Sequence, residues 1–185
     1  HVLMEKPLAT TLSDARRIVS VCEERGVKLG TGFVHRYRDE VEAARRWITD
    51  GLIGPPQVVS AVMNGQRGPE LPAWVTREDI AGGGVLMYNG IHAVDRLRQL
   101  LGSEVTEVSA QVRRYDEQSE LEDSAAALLR FSDGAVATLV ANAPAYHAQP
   151  AHWDTEIYGS RGRLRLRNGE RADVCVVFAK TDPED

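Results

Sequence analysis

Between Asp123 and Asn142 two runs of alternating residues meet across Ser132-Asp133-Gly134, and this hairpin restricts what the rest of the chain can do. Both alternating sets are small or apolar: Ala126 and Leu128 beside Ala125 and Leu129 on one strand, Ala137 and Leu139 beside Val136 and Val140 on the other. A sheet that is apolar on both faces needs two covers. Helices of the same chain can supply one. The expectation for the other is a second copy of the chain, giving a homodimer or higher homo-oligomer through an open sheet face.

Strand-like runs continue on either side of the hairpin. Thr106 to Tyr115, Trp153 to Gly159, Arg163 to Arg167 and Asp173 to Lys180 all read as strands, and Leu164 and Leu166 alternate with three arginines in a half-exposed one. The beginning of the chain has another character. His1-Val2-Leu3-Met4 is a short apolar strand closed by Glu5-Lys6-Pro7, because proline cannot extend a central strand. Thr11-Leu12-Ser13-Asp14 opens a helix with Ala15, Ile18, Val19 and Cys22 on one face, stopping at Gly26, and Val27 to Phe33 is a second strand. Residues 1–33 therefore read as the last β-α-β unit of a parallel, Rossmann-like sheet, and residues 34–185 as a separate domain. The fold class expected is α+β, a predominantly antiparallel open sheet with helices on one face.

The middle of the chain links these parts. Arg38 to Asp50 is a helix with Val41, Ala44 and Ile48 on one side and a stop at Gly51, and Gln57 to Met63 is a strand. A long polar loop, Asn64 to Ala81, contains Pro72 and Trp74. It runs into GGGVLMYNGIHAVD, Gly82 to Asp95, where a tight glycine turn delivers a helix with Ile91, Val94, Leu97 and Leu101 on one face. Tyr88 and His92 stand four apart, so a helical turn would bring a phenol and an imidazole together. The plainer alternative is a core helix whose histidine is satisfied by a carbonyl.

Composition narrows the classes. With 185 residues, 43% of them hydrophobic, the chain can bury one good core. A net charge of -5 without a basic cluster argues against nucleic acid or an anionic membrane as partner. Apolar runs fall short of the ~18 residues a membrane span needs. Cys22 and Cys175 lack metal-ligand spacing and read as reduced core thiols, in keeping with a cytoplasmic protein. His147, His152 and Asp154 suit surface polar positions better than a metal site, because residues five apart fall on opposite faces of a strand.

Taken in order, Glu5-Lys6-Pro7 after a strand, Gly32-Phe33, Gly83 through Gly90-Ile91-His92 to Asp95, then Ile157-Tyr158-Gly159 and Gly162 resemble the Gfo/Idh/MocA family of NAD(P)-dependent sugar and polyol oxidoreductases. The resemblance runs over nearly the whole chain but covers only the later part of the family's length. The family's G-x-G-x-x-G phosphate loop finds no match to its spacing here, which suggests a fragment that does not bind NAD(H) by itself.

The resemblance implies site roles. Lys6 matches the family's substrate-facing lysine, often followed by a cis proline, and would stabilise the oxygen that loses its proton as hydride leaves. His92 matches the family's histidine, able to take the hydroxyl proton near neutral pH. NAD or NADP would do the redox work, with Glu5, Lys6 and Pro7 at its edge. Tyr88 stands where many members carry Asp; a phenol is the poorer base, but beside Lys6 it can donate or accept the proton. Asp95 either orients His92 or pairs with Arg98 one turn on. Arg36, in Phe33-Val34-His35-Arg36, and Asn89 suit hydroxyl contacts or loop support equally, and Trp74 suits a sugar platform or packing. Two readings stay open: the substrate-binding and dimerising part of a sugar or polyol dehydrogenase, or a non-catalytic ligand-binding or oligomerisation module on the same scaffold.

Overall fold

The structure is a computed structural model that describes residues 1–65, 72–143, 151–168 and 176–179. Cys175, His147 and both ends of the expected last strand lie outside the described residues. The chain begins with β1 (Val2–Met4), α1 (Leu12–Glu24) and β2 (Leu29–Thr31), the two strands pairing in parallel with Leu3 opposite Gly30. Thr11 caps α1, its hydroxyl accepting from the Asp14 N–H at 3.1 Å. Of the stripe expected on α1 only Cys22 is buried, and Val19 is exposed along with Leu3, Leu12 and Val21.

A single 3-10 turn, Val34–Tyr37, leads into α2 (Asp39–Thr49), whose first turn holds Asp39, Glu40 and Glu42 where the helix dipole favours acids. Then come β3 (Pro56–Asn64), a 3-10 turn at Ala73–Thr76, α3 (Glu78–Ala81), a π turn at Leu86–Gly90 and α4 (Ile91–Leu101). The remaining elements are strands: β4 (Val105–Arg113), β5 (Ser124–Phe131), β6 (Val136–Asn142), β7 (His152–Gly159), β8 (Gly162–Asn168) and β9 (Val176–Ala179). They join β3 in one seven-stranded sheet of order β4-β5-β6-β3-β7-β8-β9. All its pairs are antiparallel except β3 with β6, so β3 is the crossover strand at its centre.

The alternation decides which face is covered. Leu129, Ala137, Val59, Ile157 and Leu164 lie in register across five strands and face α2 and α4, where Val41, Ala44, Ala93, Leu97 and Leu100 complete the core. Burial of a side chain such as Leu97 or Leu139 stabilises the fold by about 2 kcal/mol. The opposite row reads Ser109, Leu128, Thr138, Ser60, Glu156 and Arg165. On that open face Leu128 is 53% exposed and Val140 41%. It is apolar toward β5, β6 and β3, while on β7 and β8 Glu156 pairs with Arg163 and Asp154 with Arg165. No helix among the described residues is long and apolar enough to cross a membrane.

One expectation shifts in phase. The buried positions of α4 are His92, Ala93, Asp95, Arg96, Leu97 and Leu100, whereas Ile91, Val94 and Leu101 are only half-buried. The helix is enclosed on several sides, by the sheet, by α2 and by the Val34–Tyr37 turn, so a one-sided stripe describes it poorly.

Candidate functional site

Two of the three glycines at the start of the α4 region are there for space. Gly82 ends α3 at φ +71°, and a Cβ on it would come within 2.6 Å of the Thr10 Cβ, so the glycine turn sits directly on the loop that follows Lys6-Pro7. A Cβ on Gly84 would lie 1.9 Å from the Glu122 carbonyl oxygen. That contact exists because Glu122 clamps the helix start: its carboxylate accepts from the Gly84 N–H at 2.8 Å and the Leu86 N–H at 3.2 Å, and its carbonyl from Val85 N–H at 2.9 Å. An acid on free N–H groups at a helix start is favoured by hydrogen bonding and by the dipole alike. From there the backbone makes a π turn, with the Ile91 N–H donating to the Leu86 carbonyl five residues back.

The first loop brings the ammonium to this turn. The Lys6-Pro7 peptide is cis, and Lys6 Nζ donates to the Tyr88 carbonyl while standing 4.5 Å from the centre of the Tyr88 ring. Burial pushes the Lys6 ammonium below its ordinary proton affinity, and the neighbouring Glu5 carboxylate partly opposes that.

His92, on the next turn, is 6% exposed. Its ring stacks on His35 at 4.2 Å and 16°, and meets Phe33 edge-on at 6.0 Å. His35 also packs on Trp153 at 4.1 Å. Burial first, then the Lys6 charge, push His92 down to about 4, with Asp95 opposing. Burial, His92 and the cations Arg38, Arg96 and Lys6 push His35 to about 2. Both imidazoles are therefore neutral at ordinary pH.

The other residues singled out from sequence divide. Asp95, 4% exposed, is held by both arms of Arg36, with Nε donating to Oδ2 at 2.8 Å. The alternative pairing of Asp95 with Arg98 is not made: Arg98 turns to Glu104, with two bonds of 2.7 Å. Asn89 packs its amide over Gly65 at the end of β3. Glu5 lies against Gly32 at the carboxyl ends of the two parallel strands and takes the Lys6 N–H at 3.3 Å. Trp74 stands apart, 45% exposed on its own short turn, and among the described residues makes no ring contact with His92, His35 or Phe33. Tyr88 and His92 do not form the face-to-face pair a plain α-turn would give; the phenol faces Lys6 and the imidazole faces His35. Sequence reasoning passed over His35, Trp153 and Glu122. His35 carried a signal, a histidine next to Arg36 just beyond a strand end; Trp153 reaches the site through the pairing of β7 with β3 and Glu122 through hydrogen bonds from the segment just before β5, and neither carried one. Among the described residues no three His, Cys, Asp or Glu side chains gather as a metal site.

Residues 41–165 match the family described as the GFO/IDH/MocA C-terminal domain, and residues 1–33 the oxidoreductase family with an NAD-binding Rossmann fold. The chain belongs to the GFO/IDH/MocA family. Among curated members, 1,5-anhydro-D-fructose reductase of Ensifer adhaerens is 34% identical over 169 residues, which are 91% of this chain and 50% of that protein. Myo-inositol 2-dehydrogenase of Thermotoga maritima is 27% identical over 98% of this chain and 54% of its own length. The chain thus spans about half the length of these GFO/IDH/MocA relatives. In structure it is similar to the WlbA dehydrogenase of Bordetella pertussis, solved with NADH and UDP-GlcNAcA: TM-score 0.86, 27% identity, covering 100% of this chain and 56% of that one.

Proposed function

We propose that this chain is the substrate-binding and dimerising part of an NAD(P)-dependent oxidoreductase that moves hydride between a sugar or polyol hydroxyl carbon and nicotinamide. The observation that supports it most is the meeting of Lys6 with the His92 helix. An ammonium from the end of β1 is tied to the Tyr88 carbonyl, close enough for its charge to lower the proton affinity of His92. A cation beside a neutral imidazole can stabilise a developing alkoxide and accept the hydroxyl proton, two tasks of alcohol oxidation.

The residues present fit the nicotinamide end of a dinucleotide. Glu5, Lys6 and Pro7 line the carboxyl edge of the parallel strands, where such sheets receive ligands, and Gly32 leaves a cradle there that a Cβ would narrow to 3.3 Å from Glu5. The nicotinamide, when bound, supplies the hydride acceptor or donor. The chain's own residues manage the charge and the proton. Lys6 holds the substrate oxygen and stabilises its negative charge, and His92 takes the hydroxyl proton through Nε2, since its Nδ1 is buried without a partner. Tyr88, with its ring against the ammonium, is the second group able to pass that proton. Asn89 and the Arg36–Asp95 pair are read as hydroxyl contacts.

The open sheet face is read as the surface on which two copies meet, and the cytoplasm as the setting. The test of the catalytic reading is turnover of a sugar and polyol panel by the full-length protein with NAD+ and NADP+. His92→Asn is expected to lower kcat by ~10²-fold or more and Tyr88→Phe by less. Undiminished rates in both would remove them from the mechanism.

A further inference from the structure

We propose that His35 is a positioning residue for His92: a flat, uncharged plate that fixes the orientation of the base and keeps water from its buried side. The inference rests on the reading of His92 as proton acceptor.

A catalytic imidazole is commonly held by a hydrogen bond from one ring nitrogen to a carboxylate or carbonyl. His92 has no such bond on Nδ1, which is buried and without a partner. The nearest acid on its own helix, Asp95, is engaged by Arg36. What remains to fix the ring is packing: the parallel face of His35 at 4.2 Å, the edge-on ring of Phe33, and Trp153, which packs on His35 at 4.1 Å and lies 6.3 Å from His92. His35 is 3% exposed and its own Nδ1 is unpartnered, so its place is set by the same stack.

Burial first, and then the charges around the pair, keep the plate neutral. Lys6 and Glu5 face it from the end of β1, Arg38 from the end of the Val34–Tyr37 turn, and Asp95 and Arg96 from α4. Three of these five are cations bearing on His35, so it does not compete with His92 for the proton. An orienting carboxylate would raise the proton affinity of His92; a neutral ring does not, and the base gives its proton up readily after taking it.

The test uses the full-length protein with isotopically labelled histidines, following the His92 ring by NMR through a pH titration. The wild-type ring is expected to titrate near 4. His35→Ala lets water reach it, so its midpoint moves up toward about 6.5. His35→Phe keeps the plate and leaves the midpoint where it was. Should the alanine variant not fold, His35→Asn serves as the ringless replacement. With myo-inositol and NAD+ as probe, kcat of the ringless variant falls about tenfold with a smaller change in KM, and phenylalanine restores it. The proposal is overturned if His92 titrates alike in the wild type and the ringless variant, or if phenylalanine perturbs it as much as alanine does. Those NMR outcomes hold whether or not myo-inositol turns over. Separately, full activity of His92→Asn would remove the catalytic reading without touching the stacking result.

Discussion

The ammonium of Lys6 stands 4.5 Å from the centre of the Tyr88 ring and donates to that residue's own carbonyl, joining two segments 82 residues apart. Replacing it by methionine keeps the length and removes the charge. In the full-length protein Lys6→Met is expected to cost roughly 10²- to 10³-fold in kcat, as loss of one oxyanion-stabilising donor does elsewhere. The pH profile adds a sign. In the proposed mechanism Lys6 acts as a cation, and burial lowers its proton affinity while Glu5 raises it. Activity should therefore fall on the alkaline side below the ordinary lysine range, and Glu5→Gln should move that limb to still lower pH. A limb that stays put or rises in Glu5→Gln would contradict this account.

Much of that arrangement was legible in the sequence, and the part that was not has a common cause. Lys6-Pro7 after a strand and Gly90-Ile91-His92 on a helix follow from local pattern, and so does the β5–β6 hairpin across Ser132-Asp133-Gly134. The π turn at Leu86–Gly90 is not written in any periodicity, because an apolar run reads alike for an α or a π turn; it is what directs Tyr88 at Lys6 and not at His92. Arg36 and Asp95 were each singled out, yet the choice between Arg36 and Arg98 as partner depends on how the Val34–Tyr37 turn packs against α4, a tertiary fact. The parallel pairing of β3 with β6 is of the same kind.

The two stacked histidines make stability depend on acid. An unfolded histidine takes up a proton below about pH 6.5, whereas folded His92 and His35 do so only near 4 and 2. The unfolded state binds more protons throughout that window, so the stabilisation is complete above the unfolded value and is lost as pH falls toward the folded ones. The slope is at most ~1.4 kcal/mol per pH unit for each ring. Urea midpoints measured at about pH 7.5 and about pH 5 should differ less for the double replacement His35→Phe, His92→Phe than for the wild type. An equal difference would show that the rings are not held neutral.

Glycine 84 and glycine 102 separate two reasons for having no side chain. A Cβ at Gly84 collides with the Glu122 backbone, whereas at Gly102, φ +62°, it meets nothing within 4 Å. Gly102→Ala should cost about 1 kcal/mol, the price of a left-handed conformation. Gly84→Ala must also displace the clamp on the π turn, and is expected to cost ~3 kcal/mol or more and to reduce turnover with it. Chemical denaturation of the two variants compares them directly, and similar losses would place no weight on the Glu122 contact.

Removing Arg36 strands a buried carboxylate. Asp95 is 4% exposed, while the Arg36 side chain is 41% exposed and so already part-hydrated. Breaking a buried pair costs about 3–5 kcal/mol, and this half-exposed one is expected to cost ~2 kcal/mol in Arg36→Met. Adding Asp95→Asn should recover part of the loss, because the uncompensated charge goes too. Additive losses in the double variant would mean that the pair is not coupled.

The open face of the sheet tests the dimer. Leu128 at 53%, Val140 at 41% and Val58 at 48% exposure lie on β5, β6 and β3, on one continuous face. The proposed dimer would cover these exposed apolar side chains. Around it, on β7 and β8, acids and arginines are already paired within the chain, so they offer a polar rim in place of a repelling field. A two-fold dimer brings the same patch against itself, so each substitution is felt twice per interface. Leu128→Arg with Val140→Glu places two charges per copy in a surface that must lose its water on pairing. Light scattering across a range of concentrations should show twice the monomer mass for the wild-type full-length protein and the monomer mass for this variant, with circular dichroism unchanged. A wild-type monomer at every concentration would leave the apolar row without the cover proposed for it.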